Sequence, residues 1–482
     1  MGAAANRATD WWRDAVVYQV YPRSFQDTNG DGIGDLPGVL ERLDHLEWLG
    51  VDALWMSPFY PSPDADLGYD VSDHTAIDPR FGTIEDFETL VEAAHRREIR
   101  VLLDLVPSHT SIEHPWFREH PERYVWADGG PPNNWVAAFG GPAWSRDERT
   151  GRWYLHSFYP EQPDLNWRTP GVRGAFADVV RFWLERGVDG FRVDAVERLM
   201  KDPELRDDPP ATEPFDLPLP EDYGRLDHRH SIDAPDIGTA LAALREAAGD
   251  ALLVGEVYLP TARVHRYLEQ FDLAFAFEFL HAPPEASRLA GVIEAATGVG
   301  RLAWVLSNHD FPRLASRFGE AHARAAAIMV LTLPGAAFVY QGDEIGMTNG
   351  PGADPPVDRA GRDPFRHPMQ WDPSATGGFT TGRPWLAPVD PARRNVTEQR
   401  SDPASMLSLH RDLIALRREL GNGFDLLDAP EGVLAYRRGD HVIAINLSTE
   451  GTALPWGGES VLATGAGSDR LEPGGGVVLR VL

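Results

Sequence analysis

Eight times along the chain, a short apolar or β-branched run is followed by a stretch with the spacing of an amphipathic helix, and no other feature narrows the possible folds so far. DAVVYQVY (14–21) precedes LPGVLERLDHLEWLG, and VDALWMSP (51–58) precedes TIEDFETLVEAAHRREI. IRVLLDLVP (99–107) is followed, after a long polar loop, by VRGAFADVVRFWLERG. VDGFRVDAV (188–196) leads to a helical pattern around Ile237 to Ala248, ALLVGEVY (251–258) to one around Ala262 to Gln270, and FDLAFAFEF (271–279) to a short one. RLAWVLSNHD (301–310) with HARAAAIMVLTL, then GAAFVYQGDE (335–344), complete the series; ASMLSLHRDLIALRREL (404–420) is the last helix. Eight strand-then-helix units are what a closed parallel barrel requires, so the expected class is α/β, a (β/α)8 TIM barrel.

Two insertions interrupt the rhythm. Residues 108–168, rich in Pro, Gly and Trp, follow the third strand and are far longer than such a connection usually is; residues 345–401 do the same after the eighth. Beyond Gly421 the texture changes to GVLAYRR, HVIAINL, SVLAT and GGVVLRVL, the pattern of an antiparallel β-sandwich. The expected domains are a catalytic barrel over 1–107 and 169–420, an inserted domain over 108–168, and a C-terminal sandwich over 421–482.

Composition closes off several classes of function. A formal net charge of −28 argues against an electrostatic grip on nucleic acid or anionic lipid. The absence of cysteine removes disulfides, thiolate metal sites and thiol nucleophiles. Lys201 is the only lysine, so the basic residues are otherwise all Arg. MGAAANRATDWWRD lacks the apolar core of a signal peptide, and no run of about 18 apolar residues occurs, so a soluble, cytoplasmic protein is expected. Fifteen Trp, many on long loops, suit a protein that binds flat, partly apolar ligands such as sugars.

In a barrel of this kind the active site lies at the C-terminal ends of the strands. Those ends carry Asp104 and His109 after strand three, Arg192 and Asp194 on strand four, Glu256 after strand five, and His309 with Asp310 after strand seven. Like charges 4 Å apart repel by about 4 kcal/mol at an effective dielectric near 20, so clustered carboxylates call for a compensating use. An ionised nucleophile beside a protonated acid is that use, and it is the plan of glycoside hydrolysis. Arg192, two residues from Asp194 on an alternating strand, shares its face and would keep it ionised.

DLVPSH (104–109), GFRVDA (190–195), GEVY (255–258) and SNHD (307–310) resemble the four signature regions of the α-amylase family of glycoside hydrolases. LGYDVSDHTAIDPRFGT (67–83), QPDLNW (162–167) and GRDPFRHPMQW (361–371) resemble its α-glucosidase and oligosaccharide exo-hydrolase branch. The resemblance implies Asp194 as nucleophile, Glu256 as acid and base, and Asp310 as the third acid that holds the sugar hydroxyls. It implies His109, Arg192 and His309 as hydrogen-bonding partners of the same glucosyl unit, with Tyr69 as stacking face and Phe158 as neighbouring wall. Asp70 with Arg362 would clamp the far hydroxyl and close the site to further sugar units, making it exo-acting. Nucleophile and acid should lie about 5 to 5.5 Å apart, giving retention of the α-anomer. Ala195 resembles the residue of members that prefer α-1,4 bonds, where 1,6-preferring members tend to carry Val. Ser108 stands where most members have Asn, which leaves a second calcium site without its usual ligand, and His74 stands where Tyr is usual.

The reading is therefore an exo-acting α-glucosidase for short α-1,4 substrates such as maltose. The alternatives are a transglucosidase or a sucrose or maltose isomerase using the same intermediate, and, remotely, a non-catalytic sugar-binding relative. Isomerising members carry an Arg-rich motif near the mouth that is not found here. The partners implied are a small α-glucoside or oligosaccharide, in a monomer or homodimer.

One loop points to a cation. In DTNGDGIGD, residues Asp27, Asn29, Asp31, Ile33 and Asp35 match oxygen-donor positions of the EF-hand pattern, but Gly38 stands where its bidentate Glu belongs. Four side chains and the Ile33 carbonyl give five oxygens, close to the roughly 6 to 8 that calcium takes with water. The expectation is a structural Ca2+, with Mg2+ possible, clipped to the first strand-to-helix connection.

Overall fold

The computed structural model describes residues 10–212, 220–465 and 469–481. The first nine residues of the barrel segment, which are also most of the N-terminal stretch read above for a signal peptide, lie outside the described residues.

Eight strands close into a parallel barrel. They are β1 (Val16–Val20), β2 (Ala53–Met56), β3 (Arg100–Leu105), β7 (Gly190–Val193), β8 (Leu252–Gly255), β9 (Leu273–Phe275), β10 (Leu302–Val305) and β11 (Ala337–Tyr340). Their order round the barrel is β1-β11-β10-β9-β8-β7-β3-β2. The register follows the period of two: Val17 lies beside Ala53 and Phe338, and Leu102 beside Gly190. Val17, Trp55, Leu102, Val254, Phe275, Val305 and Phe338 fill the barrel, while Val16, Tyr18, Leu54, Val101, Leu103 and Leu253 pack under the helices. The inward set, carried on past the strand ends, runs from Leu102 to Asp104, from Gly190 through Arg192 to Asp194, and from Val254 to Glu256. Alternation alone therefore aims these polar side chains at one mouth.

The helices follow from local signals. Thr83 and Asp86 form a capping box before Ile84–Arg96, and Ser405 caps Met406–Arg417. Two expected helices are broken. The pattern over 36–50 gives Leu36–Glu41 and Leu43–Leu49, with the junction residue Arg42 donating to Gln26 Oε1 at 2.6 and 2.8 Å and lying over Trp371. The stretch around 262–270 becomes Thr261–Val264 and a 3-10 turn Tyr267–Glu269, where Arg266 and Tyr267 turn to the buried Asp233 carboxylate.

Between β3 and β7 stands a three-stranded sheet of β4 (Trp126–Ala127), β5 (Trp144–Arg146) and β6 (Trp153–Leu155), with its own core of Trp135, Trp144 and Leu155. Its base is held to the barrel by the bridge His109↔Asp164 and by a buried ion pair between Asp164 and Lys201. The C-terminal unit is an antiparallel sheet of β12 (Phe424–Leu426), β13 (Val433–Arg438), β14 (His441–Asn446), β18 (Gly476–Arg480) and β16 (Glu459–Ala463), in that order, with a two-stranded ribbon β15-β17 (Thr452–Ala453 and Arg470–Leu471). One face of the sheet, with Leu434, Tyr436, Ile443 and Val478, joins the main core, and Gly476 seats against Ile328 of the helix Ala323–Thr332. Among the described residues no helix is long and apolar enough to cross a membrane.

Candidate active site

At the mouth of the barrel, Arg192 is 1% exposed and its guanidinium is the hub of three carboxylates. Nη1 donates to Asp104 Oδ1 at 2.6 Å and to Asp194 Oδ1 at 2.7 Å, and Nη2 pairs with Glu256 Oε1 at 2.5 Å. Asp194 is followed by Ala195 at φ 45°, ψ 48°. This left-handed turn costs a non-glycine residue on the order of 1 kcal/mol or more, and it brings the Ala195 N–H onto Glu256 Oε2 at 2.9 Å. The peptide after one carboxylate thereby orients the other.

Burial first, and then the charge of Glu256, push the Asp194 carboxyl well above its usual range, against the pull of Arg192. Asp104 is likewise raised by burial, to about 7, with Arg192 opposing. Asp194 and Glu256 are held by the same guanidinium, one on each terminal nitrogen. One guanidinium cannot balance three ionised carboxylates, so the cluster keeps a proton near neutrality.

The third acid sits in the opposite balance. Burial alone would raise Asp310, but His309, Arg362 and Arg366 hold it well below the ordinary carboxylate range. Both arginines donate to its Oδ1 at 2.9 Å. His309 stacks between Tyr69 (centroids 5.4 Å apart) and Tyr21 (5.8 Å). Gln19 Nε2 donates to its Nδ1 at 2.8 Å, which leaves the proton on Nε2, 2.6 Å from Tyr69 Oη. Burial pulls His309 down to about 3 and His109 to about 4, so both imidazoles are neutral at ordinary pH. His109 lies against Ser108 Oγ at 2.8 Å and the Tyr69 carbonyl at 3.1 Å, with the Phe158 ring edge-on at 5.2 Å.

A cavity of about 600 Å³ opens over these groups, and Tyr69, His109, Phe158, Asp194, Glu256, Asp310 and Arg362 all line it. Asp70 does not. The clamp expected between Asp70 and Arg362 is made by Asp66, which takes Arg362 Nη2 and accepts from Gln162 Nε2 at 3.0 Å. Asp70 instead faces its own loop, accepting from Ser62 Oγ at 2.7 Å, Ala65 N at 2.9 Å and Asp66 N at 3.0 Å. The reason is hydrogen bonding: three donors of the 62–66 turn hold both of its oxygens toward that turn and away from the cavity, and the same turn presents Asp66. Asp358 completes the floor, gripping Arg362 at 2.7 and 2.9 Å. Asp66, Asp358, Arg366 and Gln162 escaped the sequence reading. A carboxylate four residues before Asp70 and an arginine four after Arg362 were the available signals. His74 has a packing place, buried and stacked on Trp116 with Nε2 on the Val106 carbonyl.

The loop expected to hold calcium is closed by its own bonds. Asp27 accepts from the N–H groups of Asn29, Gly30 and Gly32 at 2.8 to 3.0 Å and from Thr380, and Asn29 and Asp31 each accept from a nearby N–H. Asp35 caps the helix through Gly38 N at 2.7 Å and holds Thr28 with its other oxygen. Among the described residues no three acidic or histidine side chains are placed to hold a metal ion.

Comparison with known proteins agrees with this geometry. The alpha amylase catalytic domain model matches residues 19–422. A probable alpha-glucosidase of Rhizobium meliloti is 42% identical over 85% of this chain and 83% of its own. An oligo-1,6-glucosidase of Halalkalibacterium halodurans is 37% identical over 89% and 88%. Among solved structures, the α-glucosyl transfer enzyme XgtA superposes with a TM-score of 0.89 at 36% identity, covering 98% of this chain and 99% of that one. With the signature acids gathered on one guanidinium at the barrel mouth and a family model spanning most of its length, the chain belongs to the α-amylase family and is a glycoside hydrolase.

Proposed function

We propose that the protein is an exo-acting, retaining α-glucosidase that cleaves short α-1,4-linked substrates such as maltose and also transfers the glucosyl unit. The observation that carries the exo reading is the floor of the cavity, where Arg362 binds Asp66, Asp310 and Asp358 at once. A sugar chain cannot pass this knot, so only a terminal unit fits.

In this reading Asp194 attacks the anomeric carbon as Glu256 gives its proton to the leaving oxygen. Glu256, now ionised, takes a proton from water as that water opens the glucosyl ester, and the proton and configuration are both restored. The fixed Arg192 touches both members of the pair and supports whichever is anionic at each stage, and the Ala195 N–H fixes the orientation of the Glu256 carboxyl through Oε2. Asp310, kept ionised by two arginines, suits hydrogen bonds to ring hydroxyls and the cationic character of the transition state. Likeness to XgtA supports interception of the same ester by a sugar or alcohol.

The test is a rate comparison on maltose, isomaltose, sucrose, trehalose and maltotriose with the product anomer followed by NMR. α-Glucose as first product and maltose ahead of isomaltose are expected. β-Glucose would overturn the retaining reading, and isomaltose ahead of maltose the linkage.

The proton shared by the cluster predicts the pH dependence. Raising the pH removes it, so kcat/KM should fall on the alkaline side, while the neutral histidines set no limb above about pH 4. Asp104→Asn takes away one negative charge, so the remaining proton leaves more easily and the alkaline limb should move to lower pH. A profile of maltose hydrolysis between pH 4 and 10 reads this directly; an unmoved limb would remove Asp104 from the titrating set.

A divalent cation in loop 27–35, calcium before magnesium, is a further part of the proposal. Its support is the order of oxygen donors on one loop, since a carboxylate oxygen that accepts one N–H keeps a second lone pair. Binding requires Asp31 and Asp35 to turn toward Asp27. Millimolar CaCl2 should raise the melting temperature and EDTA reverse the rise; identical melting in both would remove the ion.

A further inference from the structure

Two charged residues on the wall beyond Glu256 play no part in the chemistry above. Glu197 and Arg198 belong to the 3-10 turn Val196–Arg198 that follows the strained Ala195, and both line the cavity. They lie on the leaving-group side, since the glucosyl side is occupied by Arg362, Asp66 and Asp310. Arg198 is 7% exposed. Its Nη2 donates to Tyr223 Oη at 2.8 Å, its Nε faces Glu197 Oε1 at 3.4 Å, and its guanidinium lies over the Phe158 ring at 5.2 Å. Among the described residues Nη1 has no protein partner.

Glu197 is fully buried behind it. One oxygen receives the Tyr258 N–H at 3.4 Å and the other has no hydrogen bond among the described residues. A buried carboxylate so poorly served is costly, and the nearby guanidinium is the compensation that keeps it there. The pair is close to neutral overall, and the carboxylates round it make the wall unfriendly to a further negative charge.

We propose that Arg198 reads the aglycone: Nη1 donates to a hydroxyl oxygen of the leaving group while Phe158 supports its carbon face, and Glu197 is a positioning residue that cancels the guanidinium charge. The site then prefers a neutral, polyhydroxylated aglycone, a second sugar or a polyol, over a plain alkyl one or one bearing a carboxylate. This rests on the α-glucosidase reading and adds the substrate class to it.

The test uses three alkyl leaving groups of similar chemistry, as α-glucosylglycerol, propyl α-glucoside and α-glucosylglycerate, with kcat/KM measured for each. Acid catalysis by Glu256 then largely cancels in the ratios. The wild type should favour glucosylglycerol over both others. Arg198→Met should lower the glycerol-to-propyl ratio about 10-fold, the scale of one hydrogen bond from a charged donor; Arg198→Lys, which keeps charge and loses the fork, carries the same test if the Met variant fails to fold. Glu197→Gln should raise the glycerate-to-glycerol ratio, because Arg198 is then unscreened, a change that a packing role would not produce. A wild-type glycerol-to-propyl ratio near one, or one unmoved in the Arg198 variants, overturns the proposal, and an unmoved glycerate ratio overturns the part given to Glu197. If the wild type releases glucose from none of these nor from an aryl α-glucoside, the α-glucosidase reading itself has failed, which is a different result.

Discussion

Asp194→Asn should abolish turnover of an aryl α-glucoside, by about 10⁴-fold or more, while leaving the protein folded. The amide keeps the shape of the carboxyl but cannot form the glucosyl ester. Stability should not suffer, because Arg192 retains Asp104 and Glu256 as partners and one of three crowded carboxyls is gone. The variant is expected to melt at the wild-type temperature or above it, the usual relation between a site built for reaction and the fold that carries it. Full activity in the variant would sink the assignment of Asp194 as nucleophile.

The second large effect belongs to the floor of the cavity. Arg362→Ala leaves Asp66, Asp310 and Asp358 facing one another with only Arg366 at 2.9 Å from Asp310, and removing one partner of a buried ion pair typically costs about 3 to 5 kcal/mol. Thermal unfolding should show that loss, and maltose hydrolysis should fall by about 10²-fold or more as the terminal sugar loses its clamp. Asp66→Asn and Asp70→Asn separate the two acids. The first should depress kcat/KM on maltose with little change in stability. The second should cost about 1 to 3 kcal/mol through the lost acceptor bonds of the 62–66 turn, with the smaller kinetic effect. The reverse ranking would return the clamp to Asp70.

That exchange of Asp66 for Asp70 shows where sequence reasoning carries and where it stops. Asp104, Arg192, Asp194 and Glu256 are legible because they extend strands whose alternation is dictated by the barrel core, so their direction follows from Val254 or Leu102 two residues earlier. Asp66 and Asp70 lie on a loop with no period. Which of two acids reaches the cavity depends there on turn hydrogen bonds that leave no pattern in the sequence. The helix over 36–50 reads as one by spacing, yet Arg42 leaves helical geometry for contacts with Gln26 and Trp371, residues 16 positions before and 329 after it. Glu197 and Arg198 follow the strand end with no pattern to single them out, and only their burial does so.

The ion pair at the foot of the inserted domain has a consequence for covalent chemistry. Lys201 carries the only side-chain amine of the chain, and it is 4% exposed and held by Asp164. Arginine guanidinium stays protonated at any working pH and is a poor nucleophile. Reducing sugars, including the glucose this site would release, therefore meet no accessible lysine with which to form a Schiff base, and aldehyde or active-ester coupling through lysine would have to open that buried contact first.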